Sequence, residues 1–223
     1  MIKKISMMAL KGLLAGIAIA FGGMLFLLVM TFVPAPINKI LGALVFPIGL
    51  SIVCLCSLFL FTGKIGLIFE KKQDSDYYLS LPIMYIFNLL GAGLMGYLCY
   101  LIFKNTDIYL KVASIAFNKT NFTDVNSYFT IFFKALLCGL CVYLAVRFFA
   151  TNKHMVTKLI CVFLFIGIFV YMGWEHCIAN AYYFMFANAL NANSIANIVI
   201  VTLGNILGTL PGILLFKAAK RID

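Results

Sequence analysis

Apolar residues dominate six stretches of the chain, near 7–33, 41–69, 78–103, 129–150, 159–190 and 195–218, with polar residues gathered between them. A helix needs about 20 mostly apolar residues to cross a bilayer, so the pattern predicts six transmembrane helices. Lys3 and Lys4 ahead of the first run resemble the start of a signal peptide. The run continues well past a signal's apolar region and carries no small-residue cleavage site, so it is read as a retained span.

Two of the six runs are interrupted. The second contains Phe61-Thr-Gly-Lys-Ile-Gly66 and the fifth Gly173-Trp-Glu-His-Cys-Ile-Ala-Asn180. Glycine and polar groups at membrane depth are tolerated only where protein or a water-filled path satisfies the backbone, so both predict broken helices beside a binding site. Thr62 could equally be a hydroxyl bonded to its own helix, and His176 a satisfied structural histidine.

The chain also reads as a duplication. Lys11-Gly-Leu-Leu-Ala-Gly-Ile-Ala18 is echoed by Lys134-Ala-Leu-Leu-Cys-Gly-Leu-Cys141, 123 residues on, and Asn88-Leu-Leu-Gly91 by Asn205-Ile-Leu-Gly208, 117 residues on. Thr62 and His176, 114 apart, are aligned with each other on the same logic. Three spans per copy force the second to lie inverted. The expected architecture is all-α, one channel domain over 1–223, with inverted repeats about 7–103 and 129–218 and an outer loop 104–128.

Composition narrows the class. The chain is 64% hydrophobic and 11% charged, with mean hydropathy +1.08, which excludes a soluble globule, a disordered or collagen-like chain and a nucleic-acid-binding protein. The net charge of +10 is explained by topology. With a cytoplasmic N-terminus, eleven Lys and Arg fall on inner segments (Lys3, Lys4, Lys11, Lys71, Lys72, Arg147, Lys153, Lys158, Lys217, Lys220, Arg221) and five on outer ones. The bias places both termini inside, in the cell's inner membrane. Seven cysteines all sit in apolar stretches, and Cys138-x-x-Cys141 reads as two residues of one membrane helix rather than a redox pair.

Residues in both halves resemble the formate/nitrite transporter family of pentameric, aquaporin-like anion channels. The resemblance is carried by Leu14-Ala-Gly-Ile-Ala-Ile-Ala-Phe-Gly-Gly23, Leu60-Phe-Thr-Gly63, Leu137-Cys-Gly-Leu-Cys-Val-Tyr-Leu-Ala-Val146, Gly173 to Asn180 and Leu203-Gly-Asn-Ile-Leu-Gly208. It implies that His176 is a central pore histidine faced by Thr62, with Asn180 and Asn205 near the re-entrant turns. Phe46, Leu50, Phe61, Val142 and Phe169 would form apolar constrictions, though without the family they read as packing residues. Lys119 would draw anions into the outer vestibule, although it lies 16 positions before Ala135, about four more than the family pattern.

Three further departures stand out: Phe59 where an acid is common, Gly139 where asparagine is usual, and Lys64 directly after Thr62-Gly63. The lost acid and added cation would favour anions at the inner mouth. Glu175 is expected to satisfy backbone groups at the break or to meet a neighbouring subunit.

The resemblance implies a homopentameric channel, not an enzyme, for formate, nitrite, hydrosulfide or lactate, crossing as the neutral acid or with proton coupling. No cofactor or metal is expected. A pore for small neutral solutes is the alternative. A redox subunit built on His154 and His176 lacks paired ligands.

Overall fold

Backbone in hydrocarbon must satisfy its own polar groups, and the chain does so as helix. The computed structural model describes residues 2–219, with side chains from 5 to 218, so Lys220 and Arg221 lie outside the described residues, as do the side chains of Lys3 and Lys4.

The first half runs α1 (Ile2–Phe32), α2 (Ile37–Val45), α3 (Pro47–Leu55), α4 (Phe61–Lys64), α5 (Leu67–Glu70) and α6 (Ser75–Phe103). After α7 (Asp107–Thr120), the second runs α8 (Val125–Thr151), α9 (Met155–Tyr171), α10 (Cys177–Phe186), α11 (Ala192–Leu207) and α12 (Thr209–Ala219). Among the described residues five stretches are long and apolar enough to cross a membrane, while α9 and α10 are shorter and together make up the fifth run. Both expected interruptions are present, between α3 and α4 and between α9 and α10. Pro47 starts α3, where its missing N–H costs nothing.

The segment 104–128, expected as a loop, contains the fourteen-residue helix α7. Its buried positions Ile108, Val112 and Ala116 recur every four residues and form one apolar stripe. Asp107, Lys111, Asn118, Lys119 and Thr120 around that stripe lower the average hydropathy, so the segment reads as a polar loop.

The repeats are held by close backbone crossings. Gly16 in α1 lies against the Asn88 carbonyl of α6, and Gly91 against the Leu13 carbonyl. In the second half Gly139 of α8 lies against the Asn205 carbonyl of α11, and Gly208 against the Leu136 carbonyl. Leu13 and Gly16 match Leu136 and Gly139 at an offset of 123, and Asn88 and Gly91 match Asn205 and Gly208 at 117. Small residues permit such approach in membranes, where packing rather than hydrophobicity joins helices. Gly139, a departure from the family pattern, is thus required here by sterics.

A methyl group at Gly139 would meet backbone that cannot rotate away. Gly139→Ala is expected to lower the detergent melting temperature by several degrees, whereas Gly93→Ala, whose added carbon meets only the Met185 side chain at 3.4 Å, should change it little.

Candidate functional site

The two breaks are built alike. Two residues beyond the last residue of α3 and of α9, Ser57 and Gly173 take left-handed backbone, φ 51° and 65°, and lie 116 residues apart. Glycine takes this conformation freely; serine does so under strain. In each break the next residue's N–H turns back onto the preceding helix: Leu58 to the Val53 carbonyl and Trp174 to the Phe169 carbonyl, both at 2.9 Å.

An asparagine from the following long helix then clamps each break. Asn88 Oδ1 accepts from the Phe61 N–H at 2.8 Å, while its Nδ2 donates to the carbonyls of Gly12 and Phe59, both at 2.8 Å. Asn205 Oδ1 accepts from the Cys177 N–H at 3.0 Å, and its Nδ2 donates to the carbonyls of Ala135 at 2.8 Å and Glu175 at 2.9 Å. Both side chains are fully buried.

These bonds reset one alignment. The partners of Asn88 and Asn205 make Phe59 equivalent to Glu175 and Leu60 equivalent to His176, an offset of 116. Thr62 and His176 are therefore not counterparts. They meet instead, with Thr62 Oγ1 2.9 Å from His176 Nε2. The Ala179 N–H donates to His176 Nδ1 at 3.3 Å, so the neutral ring with this network carries its proton on Nε2 and donates it to Thr62. The threonine hydroxyl hydrogen is then free to point elsewhere.

His176 borders a cavity of about 190 Å³, also lined by Phe46, Phe169, Lys119, Asn180 and Tyr183. The Phe46 and Phe169 rings meet edge-on at 5.7 Å, and Phe169 lies over His176 at 6.1 Å. Lys119 reaches this cavity from α7 but is not a bare cation. Its ammonium is 2.6 Å from Glu175 Oε2, and both side chains are largely buried. Asn180 Nδ2 donates to the same oxygen at 2.7 Å and to Asn197 Oδ1 at 2.8 Å. Asn197 Nδ2 closes the ring on the Lys119 carbonyl at 2.8 Å.

The Glu175 carboxylate thus pairs with Lys119 rather than with backbone groups at the break, because the turn of α7 brings the lysine across 56 residues of sequence. Asn197 escaped the sequence reading. It is one of three asparagines on α11, with Asn193 and Asn205, and only its place eight residues, about two turns, before Asn205 sets it on the same face.

A second cavity, about 250 Å³, is built around the other break, with Leu60, Gly63, Lys64, Cys54 and Val146 in its wall. Leu50 and Val142 are buried in the apolar cluster that includes Phe46 and Phe169 and line neither cavity. Phe61 belongs to a separate cluster with Ile65, Leu81 and Met84, its ring 4.9 Å from Tyr85. The five apolar residues grouped by sequence are therefore split three ways. Asn205 borders neither cavity and acts on the backbone, unlike Asn180, which lines the first.

A family model for formate/nitrite transporters matches residues 1–218. The chain belongs to the formate/nitrite transporter family. Among curated proteins, it is 29% identical over 231 residues to an uncharacterised transporter, YrhG, of Bacillus subtilis, spanning 95% of this chain and 85% of that one. It is 27% identical over 225 residues to a probable formate transporter of Methanothermobacter thermautotrophicus, spanning 87% and 81%. A solved pentameric formate channel with formate bound superposes with TM-score 0.83 at 23% identity over 99% of both chains. An FNT family ion channel does so with TM-score 0.81 at 23% identity over 95% and 89%. This family member is a multi-pass membrane transport protein with the aquaporin-like fold of those channels.

Loss of the Asn205 clamp takes their side-chain partner from two buried backbone groups at the break, the Cys177 N–H and the Glu175 carbonyl, at about 1–3 kcal/mol each, while the Ala135 carbonyl keeps its place in the α8 ladder. Asn205→Leu is expected to unfold at a clearly lower temperature in detergent. Asn205→Asp, which keeps the acceptor and loses the donors, should fall between it and the parent.

Proposed function

We propose that the protein is a channel for small monovalent anions of weak acids, formate first and nitrite, hydrosulfide or lactate beside it. The observation that carries this reading is the 2.9 Å contact between Thr62 and His176, at the edge of a cavity that also holds Lys119, in a chain of this family. The names of the relatives support formate.

A bare anion is costly to move through an apolar ring, and the neutral acid is not. Lys119, with Lys64 on the opposite face, raises the local anion concentration. Phe46 and Phe169 are assigned to the apolar wall beside His176, Leu50 and Val142 to the packing in the same apolar cluster, and Phe61 to a supporting role through its packing on Tyr85. His176 is the proton-facing group, held in one tautomer by Ala179 and directed at Thr62. Asn180 and Asn205 hold the second break in place. The solute takes a proton from water at this site, crosses uncharged, and releases the proton beyond. Glu175 sets the charge of Lys119 and so how strongly the mouth attracts.

The assembly is a homopentamer in the lipid bilayer of the cell's inner membrane with both termini cytoplasmic, as the lysine distribution and the pentameric relative support. One observation favours the alternative, a pore for neutral solutes: the 2.6 Å pairing of Lys119 with Glu175 cancels much of the attraction on that side.

Stopped-flow measurements on proteoliposomes containing a pH-sensitive dye decide between them. Addition of formate, nitrite, hydrosulfide or lactate should change internal pH faster than in empty liposomes for at least one solute. His176→Asn should alter the pH dependence or the order of solutes while leaving the pentamer intact. Identical flux at every pH in an assembled His176→Asn would remove the central role of the histidine, and no acid flux beside a rise in neutral-solute flux would favour the alternative.

A further inference from the structure

The two cavities are copies of one another with different charge. Seven lining positions of the second lie 116 residues before lining positions of the first, among them Ser57 and Gly173, Leu60 and His176, Gly63 and Ala179, Lys64 and Asn180. Phe149 in the second likewise matches Phe26 in the first, at the other repeat offset of 123. The architecture is held common while the electrostatics diverge.

On the His176 side, the cation Lys119 is matched by Glu175 at 2.6 Å. On the other side, the position equivalent to Glu175 is Phe59, and the position equivalent to Asn180 is Lys64. The Lys11 ammonium stands 5.0 Å over the Phe59 ring, adding a second cation behind that wall. Glu70, six residues beyond Lys64, is engaged elsewhere: Arg147 holds one carboxylate oxygen at 2.8 Å and the Tyr143 hydroxyl donates to the other at 2.9 Å. Among the described residues no carboxylate pairs with Lys64. Low-dielectric walls concentrate the field of such a charge within the cavity.

Resting on the anion-channel reading above, we infer that the Lys64 cavity is the stronger anion-gathering mouth, so that small anions entering from that side half-saturate the pore at lower concentration than from the Lys119 side. A passive pore carries no net flux without a gradient, whatever its charge. The asymmetry shows in the concentration dependence of each direction, not in the final distribution.

The test is radiolabelled formate uptake at graded concentrations into right-side-out and inverted membrane vesicles. The exposed face is identified by trypsin cleavage at Lys71 or Lys72, in the segment that follows α5. Uptake from the Lys64 side should half-saturate at roughly one third to one tenth the concentration needed from the other. Lys64→Gln should raise that value toward the other side's, and Lys64→Arg should preserve it. A second readout is independent of transport. Cys54 lines the same cavity, and its alkylation by anionic iodoacetate relative to neutral iodoacetamide, followed by mass spectrometry, should fall several-fold in Lys64→Gln.

Equal half-saturation from both sides, or an alkylation ratio unmoved by Lys64→Gln, overturns the asymmetry alone. Absence of formate uptake in both orientations by assembled protein overturns the anion-channel reading on which it rests.

Discussion

Everything at the centre of this protein depends on satisfying backbone N–H and carbonyl groups where two helices are broken inside a membrane. Lipid supplies no hydrogen bonds, and each break leaves helix-end groups without their intrahelical partners. Asn88 and Asn205 answer this with three bonds each, tying the break to the helix that carries the asparagine and to the first helix of its repeat. The glycines at the α1–α6 and α8–α11 crossings are part of the same solution. Without close approach at Gly16 and Gly139, the asparagines would not reach the carbonyls of Gly12 and Ala135.

Rigid breaks make the chemistry specific. Because the extended residues before α4 and α10 are fixed, Thr62 and His176 arrive from opposite repeats with their polar atoms 2.9 Å apart. The same fixity presents Glu175 to Lys119 and Asn180. Polar residues buried in a ring of mutual bonds are expensive to disturb. The ring of Lys119, Glu175, Asn180 and Asn197 therefore fastens α7 over one cavity, beside the apolar packing through Ile108, Val112 and Ala116.

Much of this was legible in the sequence, for physical reasons. Hydrocarbon spans leave long apolar runs, and broken spans leave glycine and polar residues inside them, so all six runs and both interruptions could be found. Asn88 and Asn205 stood out because duplication wrote them twice, each three residues before a glycine, but nothing local in the sequence told that they bond the backbone of the breaks. The α7 helix was not legible, since a three-residue apolar stripe is diluted by its polar faces. Nor was the pairing of Lys119 with Glu175, which depends on where α7 turns back rather than on any local pattern. Thr62 was set opposite His176 as a counterpart because both are polar groups in breaks. Backbone bonding shows that the true counterpart of His176 is the apolar Leu60, so chemistry is not conserved between the halves even where geometry is.

The Thr62–His176 contact has a mechanical meaning. It joins the two repeats, so a rocking motion of one repeat against the other, of the kind that exposes a site first to one side and then to the other, would have to pull it apart. The asparagine clamps anchor each half of that contact to its own repeat. On the anion-channel reading, the framework stands still and the solute does the travelling.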